Sequence, residues 1–120
     1  MSFSDPASSF EDILENIARI ERFVSGIDEA AFYRDEKTHF SVQYALLAIS
    51  EAARRLGEKA EERCPGLPWK NIRGIGNRLR HGYDSIDPVT IWTTVQQDLP
   101  PLQMAVTMAL NRIEDEGPQP

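Results

Sequence analysis

One cysteine stands in the 120 residues, so the chain has no internal disulfide and no multi-cysteine metal site. Cys64 lies just before Pro65-Gly66, and nothing nearby completes a Cys-His nucleophile pattern, so it reads as an incidental loop thiol. Histidine is nearly as scarce, with only His39 and His81. His39 has no motif around it and reads as a surface or helix-start residue. No cluster of His, Cys, Asp and Glu has metal-ligand spacing, so the sequence asks for no metal and no cofactor. No apolar run approaches a membrane span. The opening MSFSDPASSFED lacks a basic segment followed by an apolar one, and the expectation is a cytoplasmic protein without membrane contact. Strand alternation, repeats and low-complexity blocks are also missing.

Positive charge is in deficit overall: 13 Lys and Arg against 19 Asp and Glu leave a net charge of -6. That balance argues against general nucleic-acid coating and confines any such contact to a local patch. One patch qualifies. Residues 69–87, WKNIRGIGNRLRHGYDSID, hold Lys70, Arg73, Arg78, Arg80 and His81, with no carboxylate between Glu62 and Asp84. The excess suits a phosphate-bearing partner; the plainer alternative is a basic helix offsetting acidic neighbours.

The remaining pattern is helical. Ser8 and Glu11 have capping-box spacing ahead of Phe10, Ile13, Leu14, Ile17, Ile20 and Val24, with Gly26 as the stop. Asp28 caps a short turn in which Phe32 and Tyr33 lie over the core. No proline or glycine interrupts the chain from Asp35 to Gly57, where Val42, Leu46, Ile49, Ala53 and Leu56 form one seam. A second row, Phe40, Tyr44 and Leu47, runs beside it. A helix apolar on two sides packs against two things, here the bundle and either a second subunit or more of the same bundle.

The loop 65–68, PGLP, precedes the basic helix. There Ile72, Ile75 and Leu79 share the inward face, Lys70, Arg73, Asn77, Arg80 and His81 the presented one, and Arg78 points toward the flank. Gly74 and Gly76 inside that helix suggest close backbone approach to a partner helix or a phosphate. Asp87-Pro88 starts a further helix, and Pro100-Pro101 predicts a kink or two consecutive helices after Leu99. The expected domain is residues 8–116, with flexible tails at 1–7 and 117–120. The expected fold is an all-α up-and-down bundle of four to five helices.

Asn77, Leu79, His81 and Tyr83 form N-x-L-x-H-x-Y, preceded by Pro68-Trp69 and followed by Ile86-Asp87. DILENIARIERFV, AISEAARRLGE around Glu51, LPW and VTIWTTVQQDLPPL stand in order along the rest of the chain. Together these resemble the HepT-like toxins of the HEPN superfamily, encoded beside minimal nucleotidyltransferase antitoxins. The resemblance implies a homodimeric, metal-independent endoribonuclease whose Arg-His pairs meet across a dimer cleft. It implies His81 as the proton carrier and Tyr83 as the residue to which the antitoxin attaches AMP; the alternative for Tyr83 is a helix-end tyrosine capping the core. Glu51 matches an acidic position within a G-E-A triplet, Ser50-Glu51-Ala52 here, and either orients a functional group or is a solvated carboxylate.

Active members of that family carry R-x4-H-x-Y, and the arginine position is Gly76 in this chain. Histidine suits proton transfer near neutral pH and a guanidinium suits phosphate charge, so the missing group matters. Asn77, one turn before His81, can orient the ring or a phosphate oxygen, while Arg73, Arg78, Arg80 and Lys70 are left to bind phosphate. Arg73 is about 12 Å from position 81 along an ideal helix and does not replace the lost arginine within one chain. Three functions remain open: a toxin ribonuclease with a substituted arginine, a non-cutting partner of a nucleotidyltransferase or nucleotide, and a structural helical adaptor.

Overall fold

The structure, a computed structural model, describes residues 5–80 and 87–117, and of Arg80 only the backbone. Helix α1, Pro6–Val24, starts one turn earlier than the Ser8 box suggests. Asp5 Oδ1 accepts the Ala7 N–H at 3.1 Å, and Pro6 opens the helix where its missing N–H has no bond to lose. Phe10, Ile13, Ile17 and Ile20 of its stripe are fully buried. Gly26, in the left-handed region at φ +76°, turns the chain out of the helix.

Asp28 caps α2, Glu29–Arg34, by accepting the Ala31 N–H at 2.8 Å. Phe32 on α2 is fully buried against Trp92, with ring centroids 5.1 Å apart. Asp35 ends α2 and caps α3, Glu36–Leu56, through the Thr38 N–H and hydroxyl, bonds that hold its carboxyl below the usual range. The seam Val42, Leu46, Ile49, Ala53 and Leu56 is buried throughout. Gly57, at φ +53°, ends α3, so the breaker-free run that follows folds as a separate helix, α4, Glu58–Arg63.

Cys64, expected as a loop thiol, is a core residue. Burial pushes its thiol pKa up, and its carbonyl accepts the indole N–H of fully buried Trp69 at 2.8 Å. Trp69 opens α5, Trp69–Arg80, and so pins the start of the basic helix to the bundle.

Asp87 caps α6, Pro88–Thr93, accepting the Val89 N–H at 2.9 Å. A π-helical turn, Thr94–Asp98, joins it to α7, Leu99–Glu116. Pro100 and Pro101 bring no N–H to the ladder, and the Leu99 N–H reaches back five residues to Thr94 O. Leu99 is helical and buried despite the proline after it.

The architecture is an all-α, HEPN-like bundle of four long helices, α1, α3, α5 and α7, with the short ones as connectors; the described residues contain no strand. α1 packs against α3 and α7, and among the described residues α3 alone supports α5 at length. Peripheral ion pairs, Arg55–Asp12 and Arg63–Glu116, both at 2.6 Å, tie elements at the surface. Among the described residues no helix is long and apolar enough to cross a membrane.

Candidate functional site

Helix α5 divides its surroundings into three. Its inner face carries Trp69, Ile72 and Gly76, all buried against the bundle. Its outer face carries Lys70, Asn71, Asn77 and Arg78, all exposed. These four line a groove of about 960 Å³ between α5 and the stretch from α6 to the start of α7. Thr90, Thr93, Gln97 and Asp98 stand on the opposite wall, and Leu46, Ile49, Leu99 and Leu102 add apolar surface. Neither Lys70 nor Arg78 has an ion-pair partner among the described residues.

Arg73 belongs to the third region. Its Nη2 lies 2.6 Å from Glu61 Oε2, and its Nη1 donates to Gly57 O at 3.4 Å, so it clamps α5 to α4. The pairing holds the Glu61 carboxyl below the usual glutamate range. Sequence reasoning grouped Arg73 with Lys70 and Asn77 and set Arg78 to the side; the structure reverses the two arginines. The cause is Gly57, which follows the last residue of α3 and turns the chain so that Glu61 comes back under α5. That contact spans twelve residues and a proline loop, and no local pattern announces it.

Gly76 explains why the motif position is empty of charge. The Ser50 hydroxyl on α3 donates to Arg73 O at 2.9 Å and accepts the Gly76 N–H at 2.9 Å. A Cβ at position 76 would stand 2.5 Å from Ser50 Oγ and 3.1 Å from Ser50 Cβ, closer than packed atoms come. The close approach expected of the two glycines is therefore made by Gly76 to a partner helix. A Cβ at Gly74 would meet nothing within 4 Å. Ser50 itself is fully buried, and its weight in the site was not legible from its place in the Ser50-Glu51-Ala52 triplet.

Glu51 follows Ser50 on α3 and is half-buried. α5 is described as far as Arg80; the Arg80 side chain, His81 and Tyr83 lie outside the described residues. On the outer side of α3, Phe40 and Tyr44 are 57% and 76% exposed, and the row ends at half-buried Leu47, which would touch a Cβ at position 76 at 3.4 Å. His39 stands in the first turn of α3 and is half-buried: its ring packs on Phe32 and Phe40, and its Nδ1 has no hydrogen-bond partner among the described residues. Among the described residues no three His, Cys, Asp or Glu side chains gather as a metal site.

A basic helix held in an all-α bundle is what the sequence leads us to expect, and comparison with known proteins gives it a family. Residues 13–109 match the family described as "Ribonuclease HepT-like". A Methanocaldococcus jannaschii protein named "Putative RNase" is 33% identical over 106 residues, covering 88% of this chain and 97% of its own. A Thermococcus cleftensis protein named "Probable ribonuclease HepT" is 36% identical over 93 residues, 78% of this chain and 84% of that one. No solved structure matches. With a family match across most of its length and two such relatives, the chain belongs to the HepT-like family of the HEPN superfamily.

Proposed function

We propose that this chain is a metal-independent endoribonuclease acting in the cytoplasm as the toxin of a HEPN/nucleotidyltransferase toxin-antitoxin pair. The observation that carries the proposal is the wall of Lys70, Asn77 and Arg78. It is an exposed cationic face without acidic partners among the described residues, on the helix that leads directly to His81. The two relatives named above carry ribonuclease names, and their likeness covers this helix.

His81 removes the proton from a ribose 2'-hydroxyl, and the 2'-oxygen attacks the adjacent phosphorus. The bond from phosphorus to the 5'-oxygen breaks, and that oxygen takes up a proton, leaving a cyclic phosphate and a 5'-hydroxyl. Lys70, Arg78 and Arg80 neutralise phosphate charge along the strand, and Asn77 orients the ring or a phosphate oxygen. Two chains pair through exposed Phe40 and Tyr44, with half-buried Leu47 at the end of the row, since a large exposed apolar row marks a contact. The antitoxin silences the protein by attaching AMP to Tyr83, adding bulk and negative charge beside the cationic face.

A second reading has a specific observation behind it. Position 76 has no room for the motif arginine, which suits a non-cutting protein that binds a nucleotidyltransferase or a nucleotide through the same face. The test is cleavage of a defined RNA pool, with chelator present, by wild type and His81→Ala. Cutting lost in His81→Ala supports the ribonuclease; RNA left intact by a wild type that binds ATP or AMP in a parallel titration favours the second reading.

A further inference from the structure

The contact between Ser50 and Gly76 does more than fill space. A serine hydroxyl that donates to one backbone group and accepts from another, three residues along the same helix, grips a whole turn. Sliding α5 by one residue along α3 would break both bonds and bring Ile75 or Asn77 to a place where even a Cβ is 2.5 Å from Ser50 Oγ. Ser50 is completely buried, so neither bond is exchanged cheaply for water. Among the described residues α3 is also the only long helix that α5 leans on extensively, and the groove separates it from α6 and the start of α7. The rotation of α5 therefore depends on this contact, together with the Arg73 clamp to α4 and the Trp69 anchor seven residues before Gly76, about 10 Å in axial rise.

We propose that Ser50 is the positioning residue of the cationic face. By holding the 73–76 turn at Gly76, it sets the register that aims Lys70, Asn77 and Arg78 into the groove. It also reserves position 76 for glycine, so charge for phosphate comes from the groove side of α5 instead. The inference rests on the ribonuclease reading only for what the face binds; the exclusion at position 76 stands on the packing alone.

Two measurements test it, both on the full chain. In the first, urea midpoints are compared for wild type, Ser50→Gly, Gly76→Arg and the double variant. Removing the Ser50 side chain removes the two nearest obstacles; the next nearest is the flexible end of Leu47 at 3.4 Å. Gly76→Arg is expected to lower the midpoint much more in the wild-type background than in Ser50→Gly; equal drops would overturn the exclusion.

In the second, binding of a labelled single-stranded RNA is compared for Ser50→Ala and for Val106→Ala, a core change on α7 away from the groove, under conditions where both remain folded by circular dichroism. Ser50→Ala is expected to weaken binding about tenfold, because a small misplacement of several contacts is multiplied in affinity, while Val106→Ala leaves it unchanged. Equal weakening by the two would reduce Ser50 to a structural residue and sink the positioning role. A wild type that neither binds nor cuts any RNA would remove the ribonuclease reading and leave the urea cycle to decide on Ser50.

Discussion

The two flanks of α5 carry the same kind of side chain and do opposite work. On one flank Arg73 is bound to Glu61 and to the Gly57 carbonyl, closing α5 against α4. On the other, Arg78 and Lys70 face a groove with no ion-pair partner among the described residues. A guanidinium already held by a carboxylate has little left to offer a phosphate, whereas a solvated one gives up only its water and counterions. The number of basic residues in a stretch therefore overstates the charge available for binding.

The largest test removes what both flanks depend on. Trp69→Ala deletes a fully buried ring and its bond to Cys64 O, and is expected to destabilise by roughly 3–5 kcal/mol in urea titration. Both flanks should then loosen together; survival of RNA binding at full strength would show that the groove side is held by something else.

Next come the charges themselves. Arg78→Ala and Lys70→Ala are each expected to weaken RNA binding by roughly tenfold and to reduce the salt slope by about 0.7 for a single strand. Arg73→Ala should leave the slope unchanged. An equal effect of all three would erase the distinction between the flanks.

The two glycines sharpen it at smaller scale. Gly76→Ala forces a Cβ onto Ser50 and is expected to cost about 1–3 kcal/mol, as overpacking does. Gly74→Ala enters open space within the helix and is expected to stabilise by up to about 1 kcal/mol. Denaturant midpoints moving in the same direction would contradict the packing described here.

The smallest effect is in pH. Glu61 is held below its ordinary value of 4.5 chiefly by its hydrogen bond to Arg73. A lowered carboxylate pKa contributes stability above the unfolded value and loses it as pH falls through the folded one. The stability difference between wild type and Arg73→Ala should thus be constant above about pH 4.5 and shrink below it; a difference that grows on acidification would mean the pair is not the cause.

Much of the fold was legible because its signals are local. Asp28 and Asp87 cap the helices that follow them, and Val42, Leu46, Ile49, Ala53 and Leu56 are buried as their spacing demands. The first helix shows how one signal hides another: Asp5-Pro6 is the same start as Asp87-Pro88, but a Ser8-Glu11 pair nearby has the spacing of a cap as well. The candidate site was less legible. Lys70 and Asn77 were legible as one presented face, but Arg78 in place of Arg73 beside them was not, since a period of 3.6 residues orders a helix face without saying what lies opposite it. His81 and Tyr83 rest on the motif and lie outside the described residues.

By itself, then, the sequence determined the helical class, most helix ends and the stretch where charge concentrates, because capping, periodicity and composition act over a few residues. The tertiary structure alone decided that Glu61 claims Arg73 and that Ser50 closes position 76. Those contacts join residues 12 and 26 apart, and only the packing of α5 onto α3 and α4 brings them within a few ångströms.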